Sequence, residues 1–270
     1  MKFSAILAPA VLVGTTLASP LTDTLRTRRI QAQGDSKSDN WAGAILVGKG
    51  YTAAYVDQSA ILSPAASDAN QWTTSSAQFT VPQISKPPGG NDTTKYCVAI
   101  WVGIDGWSCH RSHKAILQAR IDAGVLGNGA PSITPWYEWY SDAQHTFDFS
   151  LSVGDEVNVS VEAYSERTGI AIIQNLSKPG QKGTHNFTSG TRQNLCERNA
   201  EWIAEDFASA GLTPLADFGT LEFKNAKATQ NGESVDDTHA QTVFIGQDDK
   251  RMTSEQVKGS RVRVEYVYKG

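Results

Sequence analysis

The chain has 270 residues and a mass of 29.2 kDa, which suits one large all-β domain or two small domains. Charged residues make up 19% of it, below the roughly 25% of an average domain, and hydrophobic residues make up 40%, which excludes a disordered tail, a coiled coil and a collagen. Residues 40–270 carry 19 Lys and Arg against 25 Asp and Glu. This net charge of −6 argues against a nucleic-acid partner, because phosphate binding requires a basic face.

The N-terminus has the layout of a secretory signal. Lys2 precedes an apolar run over residues 3–13, and Ala18 closes a Thr-Leu-Ala triplet that suits signal peptidase, so residues 1–18 are predicted to be a signal peptide. The run is too short, and too interrupted by Pro9 and Gly14, to span a bilayer. We therefore predict a secreted, extracellular protein with no membrane partner, and we expect it to be a monomer.

A polar stretch separates this signal from the fold. Residues 19–39 lack hydrophobic periodicity and contain Arg26, Arg28 and Arg29. A dibasic pair in a secreted precursor indicates a processing point, and an exposed basic patch is the equal alternative. The prediction is a pro-segment at residues 19–39 and a folded domain at residues 40–270.

From residue 40 onward the dominant pattern is short apolar or alternating runs separated by turn residues. This pattern predicts strands at residues 77–81, 96–104, 115–121, 133–140, 145–153, 156–164, 170–176, 221–224 and 262–268. Turn markers such as Asn231-Gly232 recur at the spacing of an all-β sandwich or barrel. One segment differs, because apolar residues recur at helical spacing over residues 199–210, where periodicity alone predicts an amphipathic helix.

Three cysteines in a secreted chain allow one internal disulfide and leave one thiol. Cys97 lies in an apolar run, which suits a small buried hydrophobic side chain. Cys109 and Cys196 lie in polar, loop-like surroundings. Of the three possible pairings, these surroundings favour a Cys109–Cys196 bridge.

Secretion also fits four Asn-x-Ser/Thr triplets. They mark candidate glycosylation sites at Asn91, Asn158, Asn175 and Asn186. Because such triplets arise often by chance, we expect only some of them to carry a glycan.

Several common catalytic and metal-binding motifs are missing from the sequence. His110 and His113 follow Cys109 at the spacing of metal ligands, but no second cluster completes a tetrahedral site, so we predict no metal and no cofactor. There is no Gly-x-Ser-x-Gly motif for a serine nucleophile. There is also no pair of Asp-Thr/Ser-Gly turns for an aspartic peptidase.

What remains is a high density of Trp, Tyr and carboxylate side chains on predicted strands. By alternation, three sets share a face: Trp101, Gly103 and Asp105; Ile116, Gln118, Arg120 and Asp122; and Thr134, Trp136, Glu138 and Tyr140. A purely packed sheet face does not require an amide or a glutamate at such positions. A solvated outer face with scattered aromatic residues is the structural alternative.

Five blocks in chain order carry a specific resemblance. They are Asn-Trp-Ala-Gly-Ala-Ile-Leu at residues 40–46, Trp-Val-Gly-Ile-Asp-Gly at 101–106, Ala-Ile-Leu-Gln at 115–118, Trp-Tyr-Glu-Trp-Tyr at 136–140 and Asn-Ala-Glu-Trp-Ile-Ala-Glu-Asp-Phe at 199–207. They resemble the successive signatures of the fungal glutamic peptidases, also called eqolisins. The resemblance implies a β-sandwich of two antiparallel sheets, of the concanavalin A-like or jelly-roll type, with a cleft on a concave face.

The same resemblance implies a secreted, acid-acting endopeptidase that cleaves proteins or peptides and is insensitive to pepstatin. The family's catalytic glutamine and glutamate match Gln118 and Glu205. The residues that would bind substrate or support this pair are Trp101, Asp105, Arg120, Trp136, Glu138 and Tyr140. The resemblance also implies that the segment at residues 199–210 is a strand, with one face formed by Glu201, Ile203, Glu205 and Phe207. The family's disulfide matches Cys109 and Cys196.

Acid–base chemistry explains why such a pair suits peptide hydrolysis. The reaction needs a base to activate water, a donor for the developing oxyanion and an acid for the leaving amine. Glu205 can take the proton from water and return it to the amine. Gln118 offers an amide donor whose state does not change with pH, so it can hold the oxyanion in acid.

The chain departs from the family pattern at four positions. Arg120 replaces a common Gly and Thr134 a common Asp, while Ser141 and Trp107 are further changes. Arg120 matters most because alternation places it on the face of Gln118. It either keeps Glu205 ionised to lower pH, pairs with a glutamate and blocks water, or extends into solvent.

Two other functions remain as alternatives. A secreted carbohydrate-active enzyme or lectin can use the same sandwich and an aromatic cleft, with Glu138 and Glu205 as an acid/base pair. The other alternative is an inactive binding module of peptidase ancestry, for which Arg120 is the indication.

Overall fold

The computed structural model describes residues 35–48, 71–109, 115–188, 191–207 and 214–270. The predicted signal peptide, residues 19–34, and His110 with His113 lie outside the described residues. Ser36–Ser38 forms a strand that pairs in parallel with residues 243–245. The fold therefore begins before the predicted residue 40, because the backbone of residues 36–38 completes an edge of a sheet.

Strands make up most of the described chain. In chain order they are β1 (Ser36–Ser38), β2 (Trp41–Val47), β3 (Trp72–Thr80), β4 (Lys95–Ile104), β5 (Ile116–Leu126), β6 (Ser132–Tyr140), β7 (His145–Thr146), β8 (Glu156–Ser165), β9 (Thr168–Asn175), β10 (Lys182–Phe187), β11 (Asn199–Glu205), β12 (Thr220–Gln230), β13 (Glu233–Asp236), β14 (Gln241–Gln247), β15 (Lys250–Arg251), β16 (Thr253–Val257) and β17 (Arg261–Tyr266). The helical content of the described residues is one 3-10 turn at Asp237–His239, and none of it is long and apolar enough to cross a membrane.

The strands form two sheets. The first has the order β1-β14-β2-β11-β4-β5-β6-β7, with β15 beside β14, and the second has the order β10-β9-β8-β3-β12-β17-β16, with β13 beside β12. Apart from the parallel β1–β14 pair, the neighbouring strands named here run antiparallel. This architecture confirms the predicted all-β sandwich of two antiparallel sheets.

The hydrophobic core lies between the sheets because alternate residues of the central strands point inward. Its largest fully buried side chains include Phe79, Leu117, Trp139, Trp202 and Phe223. Each such side chain stabilises the fold by about 1.5–3 kcal/mol. The opposite face of the first sheet carries a second, smaller cluster around Trp41 and Trp101, and this face holds the predicted site.

The segment with helical periodicity is a strand. β11 lies between β2 and β4 and is hydrogen-bonded on both sides, so the helix prediction was wrong and the strand prediction is confirmed for residues 199–205. Ala200, Trp202 and Ala204 belong to the main core, whereas Ile203 belongs to the outer cluster. The apolar residues that recur at helical spacing therefore lie on both faces of the strand, and hydrogen bonding to two neighbouring strands overrode that local pattern.

The strand predicted at residues 145–153 was wrong for most of its length. Only His145–Thr146 pairs, with β6. Phe147 and Leu151 are buried, so the apolar residues here anchor a loop to the core.

The disulfide prediction is confirmed. Cys109 and Cys196 are bonded, with Cα atoms 6.0 Å apart, and Cys97 is a buried free thiol. The bridge ties the loop after β4 to the segment before β11 across a sequence separation of 87 residues. A closed loop of this length contributes about 4–5 kcal/mol in the chain-entropy model.

The four candidate glycosylation sites differ in exposure. Asn91 and Asn186 are exposed, and Asn158 is half-buried. Asn175 is buried, and its Nδ2 donates to Asp155 Oδ2 at 2.9 Å and to Gln181 Oε1 at 2.8 Å. Because a glycan has no room at that nitrogen, Asn175 is withdrawn as a candidate, and the other three remain predictions.

Candidate active site

The outer face of the first sheet collects the predicted site residues into cross-strand rows. Residues opposite one another on neighbouring strands share a face, and successive rows lie about 6.6 Å apart, two residues along each strand. Across β11, β4, β5 and β6 the rows are Glu205–Ala99–Asp122–Thr134, then Ile203–Trp101–Arg120–Trp136, then Glu201–Gly103–Gln118–Glu138. We name them the Glu205 row, the Arg120 row and the Gln118 row.

Glu205 ends β11 and is held by three donors. Its Oε1 accepts from Asn40 Nδ2 at 3.2 Å, and its Oε2 accepts from Trp101 Nε1 at 3.0 Å and lies 3.5 Å from Arg120 Nη1. Burial raises the pKa of Glu205, while Arg120 and the indoles of Trp41 and Trp101 act in the opposite direction. Such a carboxyl can gain and lose a proton in acid solution.

Gln118 is buried and is fixed by Glu138, directly opposite on β6. Gln118 Nε2 donates to Glu138 Oε2 at 2.7 Å, which leaves the second N–H of that amide available for another acceptor. Gln118 Oε1 is buried and has no hydrogen-bond partner among the described residues. Burial, with a contribution from the charge of Glu205, raises the pKa of Glu138 to about 7 against the opposing charge of Arg120, so Glu138 is protonated in acid.

Arg120 lies between these two groups and is 4% exposed. Its guanidinium carbon sits 3.5 Å from the centroid of the Trp136 ring and 4.8 Å from that of Phe207. Its Nε and Nη2 face Asp122 at 3.0 and 3.3 Å, and Nη1 faces Glu205. The alternative in which Arg120 extends into solvent was therefore wrong. In the structure its guanidinium contacts Glu205.

Asp105 does not line the cleft as alternation predicted. It follows β4 in a left-handed conformation with φ of 69°, which Asp tolerates better than most residues. Its fully buried carboxylate accepts four backbone N–H groups: Cys196 and Glu197 at 2.7 Å on Oδ2, and Arg198 at 2.7 Å and Asn199 at 3.1 Å on Oδ1. Burial raises its pKa to about 6 despite these bonds. Asp105 therefore holds the start of β11, the strand that ends in Glu205.

The remaining predicted residues lie on the same face. Trp101 and Trp136 are buried in the Arg120 row. Tyr140 is 45% exposed at the end of β6, opposite Ile116 and one row beyond Gln118. The structure thus brings every predicted cleft residue except Asp105 to one surface.

Two residues of this surface, Asn40 and Glu201, had no role predicted from the sequence. Asn40 contacts Glu205 directly, and the block at residues 40–46 contained the signal for it. Glu201 is fully buried in the Gln118 row, and neither of its carboxyl oxygens has a hydrogen-bond partner among the described residues. Burial and the nearby Asp105 raise the pKa of Glu201 well above its ordinary value, which favours the neutral form of this carboxyl. Glu201 lies four residues before Glu205 and so shares its face of the strand, and this spacing was the sequence signal that could have identified Glu201.

One trio of metal-ligating residue types occurs among the described residues, namely Asp105, Cys109 and Cys196. The two sulfurs are bonded to each other, and the carboxylate is occupied by backbone N–H groups. This donor set does not suit a metal ion.

Comparison with known proteins gives consistent results. Residues 60–266 match the Peptidase A4 family. The chain is 35% identical to Aspergillopepsin-2 of Aspergillus niger, over 99% of this chain and 100% of that protein. It is 33% identical to Scytalidopepsin B of Scytalidium lignicola, over 89% of this chain and 82% of that protein.

Solved structures of the same kind superpose on this fold. Scytalido-glutamic peptidase, crystallised with a peptide-based transition state analog, gives a TM-score of 0.67 at 33% identity, over 85% of this chain and 99% of that chain. The aspergilloglutamic peptidase from Aspergillus niger gives 0.60 at 43% identity, over 64% of this chain and 99% of that chain. The family match and these relatives define the class as a peptidase. The chain belongs to the peptidase A4, or eqolisin, family of glutamic peptidases, which confirms the resemblance and the predicted enzyme class.

Proposed function

We propose that this chain is a secreted, pepstatin-insensitive acid endopeptidase that uses Gln118 and Glu205 as its catalytic pair. The main support is the setting of Glu205, a largely buried carboxyl held by Asn40, Trp101 and Arg120 on the face that carries Gln118. Secretion is supported by the predicted signal peptide at residues 1–18, and insensitivity to pepstatin by the lack of paired Asp-Thr/Ser-Gly turns.

The proposed mechanism assigns each group one task. Ionised Glu205 takes a proton from water as the water attacks the peptide carbonyl, and it then returns that proton to the leaving amine. The free N–H of Gln118 donates to the oxyanion. Glu138 holds the other N–H at 2.7 Å and so orients the amide.

Arg120 has an electrostatic task in this mechanism. Its Nη1 lies 3.5 Å from the Glu205 oxygen that also accepts from Trp101, so its charge favours the ionised form of the base. Asp122 pairs with the other side of the guanidinium, so it weakens the effect of this positive charge on Glu205.

Incubation of the secreted protein with denatured casein at acid pH, with and without pepstatin, tests this function. We expect casein to be cleaved equally in both samples, and a β-glucan to be left intact. Release of sugar without cleavage of casein would support the carbohydrate-active alternative, against which family membership argues.

One observation favours an inactive binding module as the second candidate. The guanidinium of Arg120 is buried between Trp136 and Glu205, and it occupies space directly beside the proposed base. Stable binding of casein without cleavage would favour this candidate over the peptidase.

Replacing Arg120 by Gly should move the acid limb of the pH profile to higher pH. Arg120 lowers the pKa of Glu205, so without it the base becomes protonated at a higher pH. The guanidinium lies 3.5 Å from Glu205 Oε2, so its charge stabilises the ionised carboxylate, and the ion pair with Asp122 weakens this effect. The measurement is kcat/KM against pH for wild type, Arg120→Gly and the charge-preserving Arg120→Lys. Superimposable acid limbs for wild type and Arg120→Gly would remove Arg120 from the mechanism.

The fold should be most stable in acid and should lose stability between about pH 4 and pH 7. Burial raises the pKa of Asp105 and Asp206 to about 6, and of Glu138 and Asp237 to about 7, so the folded state binds more protons than the unfolded chain in this range. The free energy of unfolding therefore falls as pH rises, by about 3 kcal/mol for a carboxyl shifted by two units. Urea denaturation at about pH 4 and pH 7.5 measures the difference. An equal or higher midpoint at pH 7.5 would contradict this expectation.

A further inference from the structure

Beyond the Glu205 row, the same face of the sheet continues into a cavity of about 190 Å³. We name it the Lys95 pocket, and its lining includes Lys95, Cys97, Asp122, Gly124, Trp136 and Phe207. Cys97 pairs with Gly124 one row past Glu205, and Lys95 pairs with Leu126 two rows past it. The pocket adjoins the catalytic cleft because Asp122 and Trp136, in its wall, both contact Arg120.

The missing side chain of Gly124 shapes this pocket. A Cβ atom at Gly124 would come within 3.0 Å of Lys95 Cε, 3.3 Å of Cys97 Sγ and 3.4 Å of Ser132 Oγ. The three neighbours therefore turn toward the position that a side chain would fill. The methylene chain of Lys95 passes over Gly124 and lines the pocket.

Lys95 supplies the positive charge of the pocket. Asp122 is the acidic group in the lining, and both of its oxygens face Arg120. No ion pair joins Lys95 to a carboxylate within the described part of the chain. His145 also borders the pocket, but its ring stacks on Tyr137, which packs against Phe147 of the core. The pocket thus offers one exposed ammonium that forms no ion pair with a described carboxylate, beside the aromatic walls of Trp136 and Phe207. Its charge also acts on Asp122, whose own ion pair is with Arg120.

We propose that the Lys95 pocket is a substrate subsite that takes a carboxylate of the bound peptide. The carboxylate belongs either to a Glu or Asp side chain or to the C-terminus of a short substrate. The proposal rests on the proposed peptidase function and names the chemistry that this end of the cleft selects. The ammonium of Lys95 forms a charge-assisted hydrogen bond with the carboxylate, and the aromatic walls pack on the methylene groups that precede it.

Size and position fit this assignment. A volume of about 190 Å³ equals that of about six water molecules at about 30 Å³ each, which suits one amino-acid side chain rather than a drug-sized ligand. Lys95 lies two rows, or about 13 Å, from the Glu205 row along β4. An extended peptide covers that distance in about four residues, so the selected carboxylate lies within four residues of the cleaved bond.

The test uses pairs of blocked peptides that differ by one Glu or Gln at each of the four positions on either side of the cleaved bond. At about pH 5, where Glu is ionised, we expect wild type to prefer Glu at one position by about tenfold in kcat/KM. At about pH 3 the preference should disappear because the substrate carboxyl is protonated. A further pair, with a free or an amidated C-terminus, separates the two sources of the carboxylate.

Two variants make the test specific to the pocket. Lys95→Met keeps the stem and removes the charge, so Glu and Gln peptides should become equal substrates. Lys182→Met removes an exposed lysine of β10 in the other sheet and should leave the preference unchanged. The proposal is overturned if wild type cleaves all members of the pairs equally, or if Lys95→Met keeps the preference.

A binding measurement separates this proposal from the peptidase function. The same peptides are titrated by calorimetry into Glu205→Gln protein, with and without Lys95→Met. Selective binding of the carboxylate peptide that depends on Lys95, combined with no cleavage by wild type, would overturn the peptidase function and support the subsite. Equal affinities would overturn the subsite, whether or not wild type cleaves the peptides.

Discussion

Replacing Glu205 by Gln, or Gln118 by Ala, should lower kcat by at least about 100-fold. Glu205→Gln keeps the shape of the side chain but removes the base that accepts the proton from water. Gln118→Ala removes the donor to the oxyanion, and the loss of one such donor costs about 3 kcal/mol of transition-state stabilisation. Both positions lie on the outer face of the sheet, away from the main core, so both variants should fold.

The measurement is single-substrate kinetics at the pH optimum, with circular dichroism and a thermal midpoint to verify the fold. Glu233→Gln, which changes an exposed glutamate of β13, is the matched control and should retain wild-type kcat. Near-normal turnover in a folded Glu205→Gln protein would refute the assignment of the base.

Replacing Asp105 by Ala should lower the free energy of unfolding by about 3–5 kcal/mol. Its carboxylate accepts four backbone N–H groups of residues 196–199 and is fully buried, so the variant leaves four donors without this acceptor, two of them on the buried residues Glu197 and Asn199. Asp105→Asn should cost less than Ala but more than 1 kcal/mol, because its NH₂ group cannot accept from the N–H groups that face it.

Urea denaturation at about pH 7.5, where Asp105 is ionised, measures this effect, and Asp148→Ala, an exposed aspartate in a loop, is the control. The kcat of the folded fraction should fall far less than in the Glu205 variant, since Asp105 does not open to the cleft. A loss of stability below about 1 kcal/mol would show that the disulfide and the strand pairing hold β11 without Asp105.

Local pattern was enough to place many site residues on a common face. Alternation within one strand is a property of neighbouring residues, so it correctly grouped Gln118 with Arg120 and Trp136 with Glu138. It failed at Asp105, where the strand had already ended and a left-handed backbone turned the side chain toward β11. It also failed at residues 147–153, where apolar spacing came from loop anchors rather than from pairing.

The sequence by itself determined the family, the all-β class, the disulfide partners and the pair of residues proposed to act on the substrate. Only the tertiary structure decided that Arg120 contacts Glu205, that Asp105 holds the start of β11, that Asn175 is buried and that Lys95 lines a pocket without an ion pair among the described residues. The reason is that cross-strand register and burial depend on segments far apart in the chain. Asn40 and Glu205, for example, are 165 residues apart and share a hydrogen bond. A local pattern carries no information about which distant strand will lie alongside.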